Sequence, residues 1–343
     1  MSSPIIFPTG QLILSDSTLR DGSHAIRHQL SAEDISGYCK IADQCGLDWI
    51  EVGHGNGLGA SSNHIGESLI SDSEALKAAR ENLSTTKLSV HIMPGIASIE
   101  RDILPAIDIG VDVFRIASHC TEANTTHRYL EFIRKRNKFG VGVLMMSHMA
   151  SPIEFARQAK SMEDNGAQAI MLMDSAGTLR TDDIKIRFET LKEILKVPVG
   201  IHAHNNLGLA TSNTLQAVES GAQIIDACAG GFGAGAGNAQ MEIVMSLLNA
   251  DGKIKIDSSK YFKLVDFALQ KFIPKLPTIS TLSISTGLSG LFSGYLNPII
   301  DLSNRFNVDP YDVIRILGER KVVAGQEDVV LEVVENLSLK QNH

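Results

Sequence analysis

The stretch IHAHNNLG, residues 201–208, sets His202 and His204 two positions apart. Side chains alternate faces along a β-strand, so on a strand both imidazoles point the same way. Such a pair can hold a metal ion or form a polar patch at a strand end, and a third ligand would decide. The densest charged cluster lies far off in sequence: SDSTLRDGSHAIRHQ, residues 15–29, carries Asp16, Arg20, Asp21, His24 and His28. Charges crowded just after an apolar run are costly unless they pair or bind something. Asp21 can join His202 and His204, and two histidines with one carboxylate leave open positions on a divalent ion, as catalysis needs. It can equally sit in an ion-pair network with Arg20 or a nearby histidine. Arg20 is a planar cation suited to gripping a carboxylate or neutralising an enolate, or to pairing with Asp16. His24, with an ordinary pKa of about 6.5, can serve as a general base or lie at the surface.

Other groups carry less chemistry. Met145, Met146 and Met149 around His148 read as core packing, and Cys120 beside His119 lacks an evident third partner for a nucleophile. The glycine run GGFGAGAGN, residues 230–238, can cradle an anion on its amides or simply close a tight loop. It matches neither a Walker nor a dinucleotide-binding spacing.

The elements that must position these residues are legible as eight short apolar runs, at 12–16, 47–53, 87–93, 111–118, 141–147, 167–174, 197–204 and 222–230. Segments of helical period separate them, such as SAEDISGYCKIADQCG and SPIEFARQAKSMEDNG. Apolar strands alternating with amphipathic helices imply buried parallel strands and helical crossovers. Eight such units in roughly 250 residues favour an α/β fold of the closed (β/α)8 TIM-barrel type over an open doubly wound sheet. Polar residues gather where each run ends, on the face where such barrels build their sites. From about Asp257 the alternation stops and helices dominate, which divides the chain into a barrel at 1–275 and a helical extension at 276–343.

Composition narrows the partners. With 343 residues, 43% hydrophobic and 20% charged, the chain reads as globular rather than disordered. A net charge of -8 without basic runs argues against nucleic acid and anionic membranes and for small molecules or proteins. The four cysteines show no C-x-x-C spacing and read as reduced cytoplasmic thiols. No run approaches the roughly 20 apolar residues of a membrane span, and the N-terminus has no basic, then apolar, leader pattern.

The motifs TLRDGSHAIRHQ, EVGHGNGLGASS, ASHCTEA, LMMSHM, HAHNNLGL, GAGAGNA and AGQED together resemble the class II 4-hydroxy-2-oxovalerate aldolases. These are metal-dependent pyruvate aldolases of the superfamily that includes isopropylmalate synthase and hydroxymethylglutaryl-CoA lyase. The resemblance runs from Leu14 to Asn336. It implies that Asp21, His202 and His204 hold a divalent ion, usually Mn2+, with Mg2+ or Co2+ as alternatives, and that Asn238 can join the shell. It implies that Arg20 stabilises the enolate, His24 takes the proton of the 4-hydroxyl and Ser175 helps bind pyruvate. The products are then pyruvate and an aldehyde, and the implied partner is an acylating aldehyde dehydrogenase in a homo- or hetero-oligomer.

Two departures stand out. The family's late G-Y-A-G-V-Y-S-S-F reads GLSGLFSGY here, so Leu288 and Phe292 replace tyrosines, one of which is held to act in proton transfer. The family's L-L-L-P-G reads HIMPG, so His91 replaces a leucine that shapes the aldehyde pocket. A pocket containing His91, Leu288 and Phe292 is expected to take an aldehyde larger or more polar than acetaldehyde, with His91 as a hydrogen-bond donor. The competing readings are a Claisen-type acyltransferase joining an acyl-CoA to a 2-oxo acid, and a non-catalytic homologue that assembles with a dehydrogenase.

Overall fold

The computed structural model describes residues 10–341; residues 1–9 of the N-terminal stretch just discussed lie outside them. Each apolar run overlaps a strand: β1 (Ile13–Asp16), β2 (Trp49–Glu51), β3 (Lys87–Ile92), β4 (Val113–His119), β5 (Phe139–Met145), β6 (Ala169–Asp174), β7 (Val199–Ala203) and β8 (Ile224–Ala227). Neighbours pair in parallel, and β1 closes onto β8 with Ile13 to Asp16 beside Ile224 to Ala227. That ladder excludes the open sheet.

Both faces of every strand are covered, which is why the runs are apolar throughout. Outward residues such as Leu14, Ile50, Leu88, Ile116, Leu172 and Ile225 pack under the helices. These are α1 (Ala32–Ala42), α2 (Asp72–Arg80), α3 (Leu104–Ile109), α4 (His127–Lys135), α5 (Pro152–Asp164), α6 (Thr181–Ile194), α7 (Ala210–Glu219) and α8 (Met241–Ala250). Their starts are written locally: Ser31 and Ser71 each accept from the amide three residues on and receive the reciprocal carboxylate, closing capping boxes on α1 and α2. Inward residues Ile13, Trp49, Val113, Phe139, Val141, Met171 and Ile224 fill the barrel floor. Two positions further along four of the strands the interior turns polar, with Ser15, Glu51, Arg115 and Asp226 all buried.

Beyond α9 (Ser258–Lys271) come α10 (Thr281–Leu288), α11 (Leu296–Phe306), α12 (Pro310–Glu319) and α13 (Glu327–Gln341). They share a core of their own around Leu291, Ile299, Val313, Leu317, Val330 and Val334. The join to the barrel falls on the loops that carry the chemistry: Ser293 donates its amide to the Ser175 carbonyl at 2.9 Å and its hydroxyl to Asn206 Oδ1 at 2.8 Å. Among the described residues no helix is long and apolar enough to cross a membrane.

Candidate active site

His202 lies on β7 and His204 just past its end, while Asp21 opens the 3-10 turn Asp21–Ile26 that follows β1. The β1–β8–β7 adjacency brings them together: one ligand atom from each lies within 4.8 Å of the others, and all three residues are buried. The donor set is prepared. His202 donates Nδ1–H to Asp226 Oδ2 at 2.8 Å, and because an ionised carboxylate only accepts, the lone pair sits on Nε2. That Nε2 is buried and without a partner, as are His204 Nδ1 and Asn238 Oδ1. Burial pushes His204 down to about 3, which keeps it neutral. Asp21 accepts from Arg20 Nη1 at 2.6 Å, Asn238 Nδ2 at 2.7 Å and the Ala234 amide at 3.2 Å. A carboxylate has roughly four acceptor positions, so one remains. Burial opposes ionisation here, but Arg20 and the imidazoles hold Asp21 well below the usual carboxylate range. Buried polar groups without partners are rare, and nitrogen and oxygen acceptors converging this way fit a divalent cation.

The glycine loop after β8 serves this carboxylate. Its Ala234 amide does cradle an anion, and the anion is Asp21 itself. A Cβ on Gly233 would stand 2.2 Å from Asn238 Nδ2 and 2.7 Å from Asp21 Oδ2. Gly233→Ala should therefore displace both side chains and weaken divalent-cation binding by about 10- to 100-fold, the usual effect of disturbing groups that support metal ligands. A metal titration of the folded variant checks this, and wild-type affinity would refute it.

Arg20 is buried and anchored by Nε on Glu51 Oε2 at 2.7 Å and by Nη1 on Asp21, while Nη2 has no partner. It does not pair with Asp16, which instead accepts from Thr18 and Tyr38. His24 is half-buried at the cavity; desolvation lowers its pKa, Asp21 opposes this and Arg20 reinforces it. A cavity of about 480 Å³ runs from His24 past Phe292 to the C-terminal helices, with His28, Asn56, Tyr295 and Asn297 among its walls. Phe292 meets His24 edge to face, ring centroids 6.3 Å apart. Ser175 sits buried after β6 and accepts the Met146 amide at 3.0 Å.

Two residues expected at the pocket stand apart from this cavity. Leu288 ends α10 with 69% of its surface exposed and is not part of the His24 cavity. His91, inside the barrel on β3, is also absent from that cavity's walls; its Nδ1 lies 3.6 Å from Glu51 Oε1, and burial brings it down to about 4. Tyr295 does not restore the lost tyrosine hydroxyl, since its own is fixed between the Val323 carbonyl and the Gln326 amide. Cys120 donates to the Met146 carbonyl, and burial pushes its thiol up to about 11, as suits a structural residue.

Three buried residues were not picked out from the sequence. Glu51, Arg115 and Asp226 face inward on β2, β4 and β8, linked to Arg20 and His202. A signal existed: each is a charge within a largely apolar run, two positions after an inward-facing apolar residue, Trp49, Val113 or Ile224.

Comparison with known proteins matches residues 11–268 to the HMGL-like family and residues 277–339 to the DmpG-like communication domain. The chain is 46% identical over 334 residues to the 4-hydroxy-2-oxovalerate aldolase of Pectobacterium atrosepticum, covering 97% of each chain. It is 47% identical to the enzyme of that name from Spirochaeta aurantia, covering 96% of this chain and 97% of the other. Among solved structures, the N-terminal domain of a putative aldolase from Bacteroides vulgatus superposes with a TM-score of 0.72 at 24% identity, over 86% of this chain and 98% of that one. A carboxyl transferase domain of Rhizobium etli pyruvate carboxylase, crystallised with pyruvate, gives 0.82 at 16% identity, over 96% of this chain and 62% of that one. These two likenesses speak for the fold alone.

Proposed function

The chain belongs to the 4-hydroxy-2-oxovalerate aldolase family, and on that premise we propose that it cleaves a 4-hydroxy-2-oxo acid to pyruvate and an aldehyde with a divalent ion, Mn2+ by preference. The observation that carries this reading is that one ligand atom from each of Asp21, His202 and His204 lies within 4.8 Å of the others, while His202 Nε2, His204 Nδ1, Asn238 Oδ1 and Arg20 Nη2 are buried without partners. An ion held by Asp21, His202 and His204, with Asn238 beside them, supplies Lewis-acid polarisation of the substrate's 2-oxo group.

The rest of the reaction falls to side chains. His24, kept neutral, accepts the proton of the 4-hydroxyl. The C4–O bond becomes the aldehyde carbonyl as the C3–C4 bond breaks, and its electron pair passes into the enolate of pyruvate. Arg20 Nη2 stabilises the developing negative charge; the arginine is already anchored, so little reorganisation is needed. Ser175 is assigned to binding the pyruvate half, and a proton delivered to C3, from protonated His24 or water, completes the product.

Deuterium exchange into the methyl group of pyruvate, measured with the Mn2+-loaded protein in deuterium oxide, tests the enolisation. Exchange above the metal-only blank is expected, and its absence with every divalent ion would overturn the reading.

The aldehyde follows from the cavity. Its volume of about 480 Å³ lies in the range that encloses drug-sized ligands, far more than a two-carbon product requires. The C4 substituent extends past Phe292 among His28, Asn56 and Asn297, so the aldehyde is longer than acetaldehyde and bears polar groups. Across a panel of 4-hydroxy-2-oxo acids, kcat/KM should rise about 10-fold or more from a methyl to a longer polar substituent at C4. A plain preference for the methyl compound would refute this. The C-terminal helices, matching the communication domain, are in this reading the docking surface for an acylating aldehyde dehydrogenase.

A further inference from the structure

A fully buried guanidinium inside the barrel has no place in the reaction just described. Arg115, on β4, sets one nitrogen, Nη1, 2.8 Å from Asp226 Oδ2 and 3.1 Å from Glu51 Oε2. Asp226 Oδ2 also accepts from His202 Nδ1 at 2.8 Å, and its Oδ1 accepts from Ser15 Oγ at 2.8 Å. Glu51 Oε2 also accepts from Arg20 Nε at 2.7 Å. One unbroken line of contacts therefore runs from His202 through Asp226, Arg115 and Glu51 to Arg20. Each carboxylate oxygen in it serves two donors, so moving one end disturbs the other.

We propose that Arg115 is a positioning residue that joins the metal ligand His202 to the enolate-facing Arg20, fixing the orientation of both through Asp226 and Glu51. Resting on the aldolase reading, this assigns work to three residues that touch neither ion nor substrate. Chemistry favours this over mere filling of the interior. A guanidinium at the centre of a barrel is expensive to bury, and apolar side chains would pack the same space at less cost. A lysine's ammonium ends one bond short of the position where Nη1 meets both carboxylates, so it cannot hold the two at once. Asp226 fixes the His202 tautomer that presents Nε2, and Glu51 aims the guanidinium whose Nη2 stays free.

The test uses the full chain and two readouts, Mn2+ affinity of the metal-free protein and methyl deuterium exchange of pyruvate at saturating Mn2+. Asp226→Asn should weaken Mn2+ binding by about 10- to 100-fold. Glu51→Gln should slow exchange by about 10²-fold through a misaimed Arg20 and weaken Mn2+ binding by a smaller factor, under about 10-fold, transmitted through Arg115. Arg115→Lys should impair both, which a merely structural role, lowering only the melting temperature, would not. Folded Arg115→Lys protein with both readouts at wild-type levels overturns the proposal. Should that variant not fold, the Asp226→Asn/Glu51→Gln pair decides in its place. Effects on exchange that multiply to within about twofold mean no transmission, and a larger discrepancy supports it. Wild-type protein that neither binds Mn2+ nor exchanges pyruvate would overturn the aldolase reading itself; an active wild type with indifferent variants would remove only the role of Arg115.

Discussion

Asp21→Asn should slow pyruvate enolisation by about 10³-fold or more, the several kcal/mol that a bound ion contributes, and abolish tight Mn2+ binding. Asparagine matches aspartate in shape, so the effect is chemical. Asp21 supplies the only carboxylate among the three grouped residues, and losing it leaves the two imidazoles without a formal negative charge. The amide also meets the wrong neighbours. Arg20 Nη1 points at Oδ1, whereas Asn238 Nδ2 and the Ala234 amide point at Oδ2. Whichever way the amide turns, its NH2 faces at least one donor, and a buried donor facing a donor forfeits its hydrogen bond. Arg20 keeps Glu51 and loses its second anchor, so the group meant to stabilise the enolate loosens as the ion departs. Mn2+ titration and methyl exchange of the folded variant measure the two consequences. Near-wild-type Mn2+ affinity would mean that Asp21 is an ion-pair partner and no ligand.

The separation between what was legible and what was not follows strand geometry. Parity alone aligned His202 with His204, and the clustering of strand ends on one barrel face made Asp21 a candidate although about 180 positions intervene. The closed barrel was legible because buried parallel strands are apolar on both faces, a pattern that survives without knowledge of neighbours. Glu51, Arg115 and Asp226 escaped for the converse reason. Charges within apolar runs identify their partners only when register is known, and it is the register that sets His202 beside Asp226 and Ser15 beside Asp226. His91 was read as a donor to the aldehyde, but its setting depends on Glu51, a residue of another strand. Leu288 shows a further limit. Its position in a motif suggested a pocket, while its exposure is decided by how α10 lies on the barrel, which no local pattern encodes.

His24→Ala should lower kcat/KM for cleavage by about 10²- to 10⁴-fold, the range of a positioned general base, and should remove the acid limb of its pH profile. The sign of that limb follows from the surroundings. Imidazole must be neutral to accept the 4-hydroxyl proton, so activity falls as pH drops through the His24 pKa. Burial lowers that pKa; Asp21 pulls it upward and Arg20 downward. A dication on Asp21 would offset the upward pull, so the metal-loaded protein should hold its activity to below about pH 6.5, the ordinary histidine value. Substitution at Gly55 separates position from chemistry. A Cβ there would lie 2.4 Å from His24 Nε2 and 2.5 Å from the two adjoining ring carbons, forcing the ring aside. Gly55→Ala retains the imidazole and the three ligands, so it should lower kcat while leaving Mn2+ affinity unchanged. If instead His24→Ala retained both its rate and its acid limb, the base would have to be another group at the cavity mouth. His28, 5.1 Å from His24 between ring centroids, would be the first to test. Its candidacy is weak on chemical grounds, because its Nδ1 is engaged by Ser23 and the Gly55 amide, and burial brings it down to about 2. A base that resists protonation so strongly has little drive to take a hydroxyl proton, which leaves His24, open to the cavity, as the group on which the reaction depends.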